Sequence, residues 1–352
     1  MCLGFGTYFT TKPSNECAPE EKQPVTYERN KLEKRAFVLQ YPANQPCEDR
    51  FNCYQFKSQQ AYYAAVFDGH GGWQVSDHAM RHLHTYLDEE LKGAKTDAQI
   101  QQAIINAYNR VEKDWVDLAK NAFDKGYPAT AYVGSCALVA VVKDNKLYVA
   151  NAGDSKAALL SKSKDGTYIY KKVSITYNAN KSYEQERLKK LFPKEDDIIK
   201  CKGRDQKACY VKGNLMPTRA FGDLRLKMGE FNFHNHPIEL GYRNPIPKFN
   251  GPYITHTPTV EVVELTNDDQ FLVLASDGLW DEIPRKKVPE IVQGKDTDIQ
   301  SVAASLFEAA MQEVSKDRGR TREFISQLPP GPQKRGIHDD ITVLVLSLKN
   351  QV

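Results

Sequence analysis

The apolar positions of this chain change period repeatedly, and the changes mark out its elements. Short apolar or alternating runs at residues 35–41, 50–56 and 61–67 read as strands, with the polar loop Lys57-Ser58-Gln59-Gln60 between the last two. If those two form a hairpin, Phe56 faces Ala61, and counting outward sets Asp49 opposite Asp68 and Glu48 beside Gly69. Cross-strand neighbours have Cβ atoms about 5 Å apart, so the two carboxylates would repel, and a cation would relieve them. The period then becomes helical. Residues 73–92 form one helix, and a second starts after Thr96 as N-cap, with Ile100, Ala103, Ile104, Ala107, Tyr108, Val111, Trp115 and Leu118 on one face.

Strands return at 135–142 and 146–151, joined by Lys143-Asp144-Asn145, and again at 156–160 and 271–275. A helix over 297–315 and a terminal strand over 341–348 complete the pattern, with no internal repeat. Residues 1–27 are polar and read as a loose tail before a domain over 28–352. Residues 224–257, rich in Pro, Gly, Asn and aromatics, are long for a plain loop and read as a functional flap. Strands, then helices, then strands predict an α+β fold with a mostly antiparallel core.

Composition narrows the class without naming a function. The 352 residues are 41% hydrophobic and 26% charged, ordinary for a soluble globular protein, and the net charge of +3 is too small to argue for nucleic-acid or membrane binding. No apolar run approaches the roughly 18 residues that span a bilayer. Residues 1–22 lack a secretory apolar core, and they carry Glu16, Glu20 and Glu21 but no arginine, unlike a transit peptide. Cys2 stands where myristoylation needs glycine. The cytoplasm is the expected compartment, ahead of nucleus and mitochondrion. Seven cysteines without a CxxC pair read as reduced thiols, and none has arginine six positions later, which excludes a cysteine phosphatase.

The chemistry lies in two acidic stretches more than two hundred residues apart, Val66-Phe67-Asp68-Gly69-His70-Gly71-Gly72 and Ala275-Ser276-Asp277-Gly278-Leu279-Trp280-Asp281. Each sets an aspartate where an apolar strand ends. Glu48-Asp49 and Asp339-Asp340 flank them in sequence. Carboxylates held apart by a rigid sheet suit a hard divalent cation, so the residues point to a metal-assisted hydrolase.

Together with Gly153-Asp154-Ser155, Thr218-Arg219-Ala220-Phe221-Gly222-Asp223 and Asp339-Asp340-Ile341-Thr342-Val343, these stretches resemble, in order and spacing over residues 35–349, the metal-dependent type 2C serine/threonine protein phosphatases. Asn44-Gln45-Pro46-Cys47-Glu48-Asp49-Arg50 looks most like the pyruvate dehydrogenase phosphatase branch. The resemblance implies two antiparallel sheets in a sandwich flanked by antiparallel helix pairs. It also implies hydrolysis of phosphoserine and phosphothreonine esters in phosphoproteins by a metal-activated water at a binuclear Mg²⁺ or Mn²⁺ site.

Carried over position by position, Asp68 would bridge the ions, Gly69 would offer its carbonyl, Glu48 would complete one ion, and Asp277 and Asp339 would hold the other. Asp49 would orient waters, and His70 would act as general acid toward the leaving alkoxide. Asp154 and Asp281 match positions for a third, looser ion. Where the family usually reads Asp-Asn this chain has Asp339-Asp340, so Asp339 takes the ligand role. Many relatives carry a phosphate-gripping arginine where this chain has Asn44, and Arg50 is the nearest substitute cation.

Other features read more plainly. Thr218 to Asp223 is structural, with Arg219 paired internally; His78 and His82 are solvated helix histidines without a third ligand; His234 and His236 are surface residues of the flap. Asp296-Thr297-Asp298 begins an aspartate-nucleophile motif that Ile299-Gln300 breaks. The sequon Asn180-Lys181-Ser182 has no consequence in a cytosolic protein, and the basic run 315–322 is a solvated helix end. The rival of another class is a pseudophosphatase that keeps the fold for binding. Its mark would be missing ligands, and Asp68, Asp277 and Asp339 are all present. A metal hydrolase of another ester class is the third reading.

Overall fold

Two antiparallel sheets stack face to face with helices on both outer surfaces, as the computed structural model of the chain describes for residues 26–28, 35–203, 207–232, 238–294 and 298–349. In chain order the strands are β1 (Thr26–Glu28), β2 (Ala36–Tyr41), β3 (Arg50–Phe56), β4 (Ala61–His70), β5 (Gly134–Lys143), β6 (Lys146–Ala152) and β7 (Lys156–Lys162). They continue as β8 (Tyr168–Lys172), β9 (Ile199–Lys202), β10 (Ala208–Val211), β11 (Phe221–Gly222), β12 (Thr259–Glu264), β13 (Asp269–Ala275) and β14 (Ile341–Ser347). The helices that matter here are α1 (Gln74–Glu90), α2 (Asp97–Asp124), α3 (Ser182–Leu191), α4 (Asp277–Trp280), α5 (Val288–Val292) and α6 (Ile299–Arg318). One sheet runs β12-β6-β5-β4-β3 with β11 added beside β5; the other runs β1-β2-β14-β13-β7-β8.

The two-residue period of the strands builds the layers. Ala64 and Val66 of β4, Leu138 and Ala140 of β5, and Leu147 and Val149 of β6 point inward. There they meet Val38, Leu159, Leu272, Leu274, Leu344 and Leu346 of the opposite sheet. The alternate residues Ala65, Phe67, Val139 and Val141 face Leu83, Ile104, Tyr108 and Val111 on α1 and α2, while Phe271, Val273, Val343 and Val345 pack on Leu306, Phe307 and Met311 of α6. Strands buried on both faces need apolar residues at nearly every position, and these strands have them.

The expected hairpin register holds from Phe56↔Ala61 to Arg50↔Phe67, which carries on to Asp49 and Asp68. Thr96 caps α2 in a reciprocal box, its Oγ1 accepting from Gln99 N at 3.3 Å while Gln99 Oε1 accepts from Thr96 N at 3.1 Å. Asp144 and Asn145 turn β5 into β6 with φ of 51° and 56°, the mirror turn that matches strand twist.

The structure adds detail to these readings and corrects one. Residues 224–257 are built of short 3₁₀ turns where described, and Phe231 and Tyr242 pack edge-on to Phe123 of α2, each at 5.0 Å. The sequence reading missed α3, β8, β12 and the β9–β10 hairpin. That hairpin sets Cys209 directly opposite Cys201, and the two form a disulfide, so the reduced reading does not hold for this pair. Cys47 and Cys136 are free thiols. Most of the tail, with Cys2 and Cys17, and also His234, His236, Asp296 and Thr297 lie outside the described residues. No helix among those described is long and apolar enough to cross a membrane.

Candidate metal centre

The alternation that builds the inner core carries on into the site. On β4 the inward series Ala64, Val66 leads to Asp68, and on β5 the series Ala140, Leu138 leads to Cys136. Asp68 and Cys136 are register partners. The β6–β7 turn supplies Asp154, whose carboxylate accepts from Cys136 Sγ at 3.2 Å and from Asn178 Nδ2 at 2.6 Å. Asn151 braces that turn by donating to the carbonyls of Gly153, Ser155 and Ile175. Gly153 has φ of +143° and lies against Cys136, so a side chain there would be both strained and obstructed.

The second sheet delivers Asp277, the first residue of α4 after β13. Gly278 beside it lies so close to the Asp340 carbonyl that a Cβ would collide, and this contact draws the ends of β13 and β14 together. Asp277 N approaches Asp68 Oδ2 at 3.3 Å. Carboxylate oxygens of Asp68, Asp154 and Asp277 all lie within 4.8 Å of one another.

Burial and crowding raise the carboxyl pKa of Asp68, Asp277 and Asp49. Asp68 is pushed well above the usual carboxylate range by burial first, then by Asp277, Asp49 and Asp154. For Asp277 burial is again the main cause, followed by Asp154, Asp339 and Asp281. Asp49, 1% exposed, is raised by burial and Asp340, and its Oδ2 has no hydrogen-bond partner among the described residues. A divalent cation with oxygen preference fits this donor set, because it neutralises the repulsion among the carboxylates.

The remaining expected ligands sit around the trio. Glu48 is raised by burial and Asp340, with His70 and Asp339 also acting on its charge, and Gly69 abuts the Glu48 carbonyl so closely that a Cβ would collide. Asp339 meets Arg335 at 2.6 Å, while Asp281 is largely exposed and pairs with Lys156 at 3.1 Å. Asp340 turns inward and anchors the 43–48 loop, accepting from Ala43 N at 2.6 Å, Asn44 N at 2.9 Å, Asn44 Nδ2 at 3.0 Å and Glu48 N at 2.7 Å.

Two expectations are corrected by geometry. Arg50 shares the outward face of β3 with Asn52 and Tyr54, and its guanidinium is committed to Asp77 at 3.2 Å and to the carbonyls of Cys47 and Asp49. Pleating therefore turns it away from the carboxylates. His78 and His82 are half-buried, not solvated; their rings lie 4.6 Å apart and His78 packs 5.6 Å from Trp115.

The larger surprise is Asp223. Its Oδ2 lies 2.7 Å from His70 Nε2, so the stretch read as purely structural reaches the site. The two-residue β11 pairs with Ser135 and Gly134 of β5, and Gly134 is itself the partner of His70 on β4. A Cβ on Gly134 would strike both Asp223 and His70. Burial disfavours the imidazolium, but the charge and hydrogen bond of Asp223 outweigh it and raise the His70 pKa. The one sequence signal for this role was Gly222-Asp223 after an apolar pair, the same form as Gly153-Asp154. Arg219 is internal as expected, donating to the Thr257 carbonyl at 2.7 Å and lying 3.8 Å over Tyr177.

Comparison with known proteins agrees with this geometry. Residues 42–319 match the Protein phosphatase 2C family. "Probable protein phosphatase 2C 79" of Arabidopsis thaliana is 34% identical over 291 residues, covering 81% of this chain and 71% of its own. "Probable protein phosphatase 2C 78" of Oryza sativa subsp. japonica is 33% identical over 297 residues, covering 83% and 71%. The chain belongs to the protein phosphatase 2C family. It is a serine/threonine protein phosphatase of the metal-dependent class. The crystal structure of serine-threonine phosphatase 2C from Toxoplasma gondii shares the fold, with a TM-score of 0.61 at 17% identity over 89% of this chain and 95% of that one. In this phosphatase 2C, Asp68 and the His70–Asp223 pair occupy neighbouring strand ends of one sheet, Asp154 lies in the turn between the sheets, and Asp277 comes from the other sheet.

Proposed function

We propose that this phosphatase hydrolyses phosphoserine and phosphothreonine esters at a two-ion Mg²⁺ or Mn²⁺ site. The ions would be held by Asp68, Gly69, Glu48, Asp277 and Asp339, with Asp154 and Asp281 beside a third, looser position. The observation that carries this reading is the convergence of Asp68, Asp154 and Asp277 within 4.8 Å. Such ions supply Lewis acidity, acidifying water and drawing charge from phosphate oxygens. The chain's own residues divide the remaining work. Asp49 offers a buried oxygen that suits holding a water. His70, whose protonated form the Asp223 charge favours, would give a proton to the departing serine or threonine oxygen. Arg335, half-exposed beside Asp339, would take the phosphate-facing role left by Asn44 and Arg50.

Phosphate release from a phosphothreonine peptide tests the assignment. Turnover is expected with Mn²⁺, should vanish on chelation and return when the ion is restored. Release that persists in excess chelator, or in the Asp277→Asn protein at wild-type rate, would remove the metal reading.

A further inference from the structure

A cleft of about 220 Å³ opens beside the His70–Asp223 pair, walled by Tyr132, Asn214, Leu215 and two arginines, Arg225 and Arg243. The arginines come from the segment 224–257, outside the sandwich. Arg225 is half-buried and donates through Nη1 to Asn214 Oδ1 at 2.9 Å and through Nη2 to the Asn244 carbonyl, while its Nε is buried without a partner. Arg243 is exposed; its backbone N donates to Tyr132 Oη at 3.0 Å and its guanidinium lies 4.9 Å over that ring. Among the described residues neither guanidinium has a carboxylate partner. Asp223 also lines the cleft, but its Oδ2 is engaged by His70.

Two guanidiniums held together without an anion are the mirror of the carboxylate cluster. Burial, and then Arg243, lower the pKa of Arg225, which reports the same crowding. The volume is below the roughly 300–1,000 Å³ of small-molecule sites, so it suits one side chain of a bound peptide. Its position says which side chain. His70 marks where the leaving serine or threonine oxygen sits, so the chain carrying that residue must pass over the cleft beside it.

We propose that Arg225 and Arg243 form an acidic-residue subsite, which binds a carboxylate or a second phosphate on the substrate chain near the scissile phosphoresidue. This rests on the phosphatase reading above and adds a substrate preference to it. Guanidinium forks match both anions, and the unpartnered Nε of Arg225 is one donor they would satisfy.

The test uses phosphothreonine peptides that differ only at the positions flanking the phosphothreonine, carrying Asp, Asn, phosphoserine or Lys in turn. With Mn²⁺ present, one flanking position should show KM about fivefold to tenfold lower for Asp than for Asn, as for a part-desolvated charge-assisted contact, and lower again for phosphoserine. Arg243→Ala should erase most of that ratio, and Arg243→Glu should invert it in favour of Lys, which a merely structural role would not do. The same ratio is read as Kd by fluorescence anisotropy of labelled peptides. Absent turnover would thus count against the phosphatase reading, while the Kd ratio still decides the subsite. Equal KM and Kd for Asp and Asn at every position, or a preference that survives in both Arg243 variants, would overturn the proposal.

Discussion

The carboxylate cluster and the arginine cleft are opposite in charge and alike in incompleteness. Asp68, Asp154 and Asp277 crowd like charges at strand ends and a turn, and none of the three is paired with a cation among the described residues. Arg225 and Arg243 crowd like charges on an irregular segment, and the one acid lining their cleft, Asp223, is engaged by His70. Between them the His70–Asp223 pair is internally balanced at 2.7 Å. A protein that maximised stability would pair such groups, because an uncompensated buried charge is costly. On the two proposals above, each pole would be completed by something that arrives from solution, and the balanced pair would sit where the two arrivals meet. Rigidity differs as well. The acidic pole is framed by strands in continuous register, whereas the basic pole hangs on side-chain and carbonyl contacts, which suits tuning of substrate choice without disturbing the chemistry.

The largest effect should come from the acidic pole. Asp68→Asn is expected to reduce Mn²⁺-dependent turnover by about a thousandfold or more, since Lewis-acid stabilisation is worth several kcal/mol and each 1.36 kcal/mol is tenfold in rate. The same change removes a buried like charge, so the metal-free variant should melt above metal-free wild type. Wild type should gain thermal stability as Mn²⁺ is added, by about 2.7 kcal/mol at a hundred times the dissociation constant. A melting temperature indifferent to Mn²⁺ would show that the crowded carboxylates are relieved by something other than a cation.

The balanced pair should give the next largest change, with a signature of its own. Asp223→Asn leaves His70 without the charge that favours its protonated form, so kcat on a phosphothreonine peptide should fall about a hundredfold, the low end for general-acid catalysis. An aryl phosphate, whose leaving group departs without a proton, should lose far less. Equal losses on both substrates would move Asp223 from the proton path to the architecture, where its contact with Gly134 already places it.

Local sequence carried much of this arrangement. The four-residue loop fixed the β3–β4 register, and register counting alone brought Asp49 to Asp68; Thr96 announced α2 through its capping box. Asp223 was not legible because a two-residue strand has no period, and its pairing with β5 joins distant segments. Arg50 was legible and misread: if Asp49 points inward, alternation sends Arg50 outward. The two departures from the family pattern, Asn44 and Asp340, looked independent in the sequence. They are one hydrogen bond, Asn44 Nδ2 to Asp340 Oδ2 at 3.0 Å, with the same carboxylate also gathering the Ala43 and Glu48 amides. A pair 296 residues apart cannot be read from one chain without its fold. Cys201 and Cys209 were hidden in the same way by an unrecognised hairpin.

Two cations flank the acidic side among the described residues, Lys156 on Asp281 and Arg335 on Asp339, and Arg335 gives the smallest and most discriminating prediction. Arg335 reaches Asp339 at 2.6 Å with its side chain about half exposed, whereas Asn44 has given its amide to Asp340 and Arg50 faces the helices. If Arg335 meets the substrate phosphate, Arg335→Ala should raise the KM for a phosphothreonine peptide about threefold to tenfold at saturating Mn²⁺, and weaken inhibition by inorganic phosphate by a similar factor. Arg50→Ala should shift that KM less than twofold, since it removes contacts to Asp77 and two carbonyls on the far face of β3. If Arg335 only steadies Asp339, the concentration of Mn²⁺ for half-maximal activity should rise instead, with KM unchanged once the ion is saturating. The first outcome makes the acidic pole self-sufficient for holding phosphate, so that the basic cleft only selects the chain around it. The second leaves phosphate binding to the ions alone and makes Arg335 part of the frame that positions their ligands.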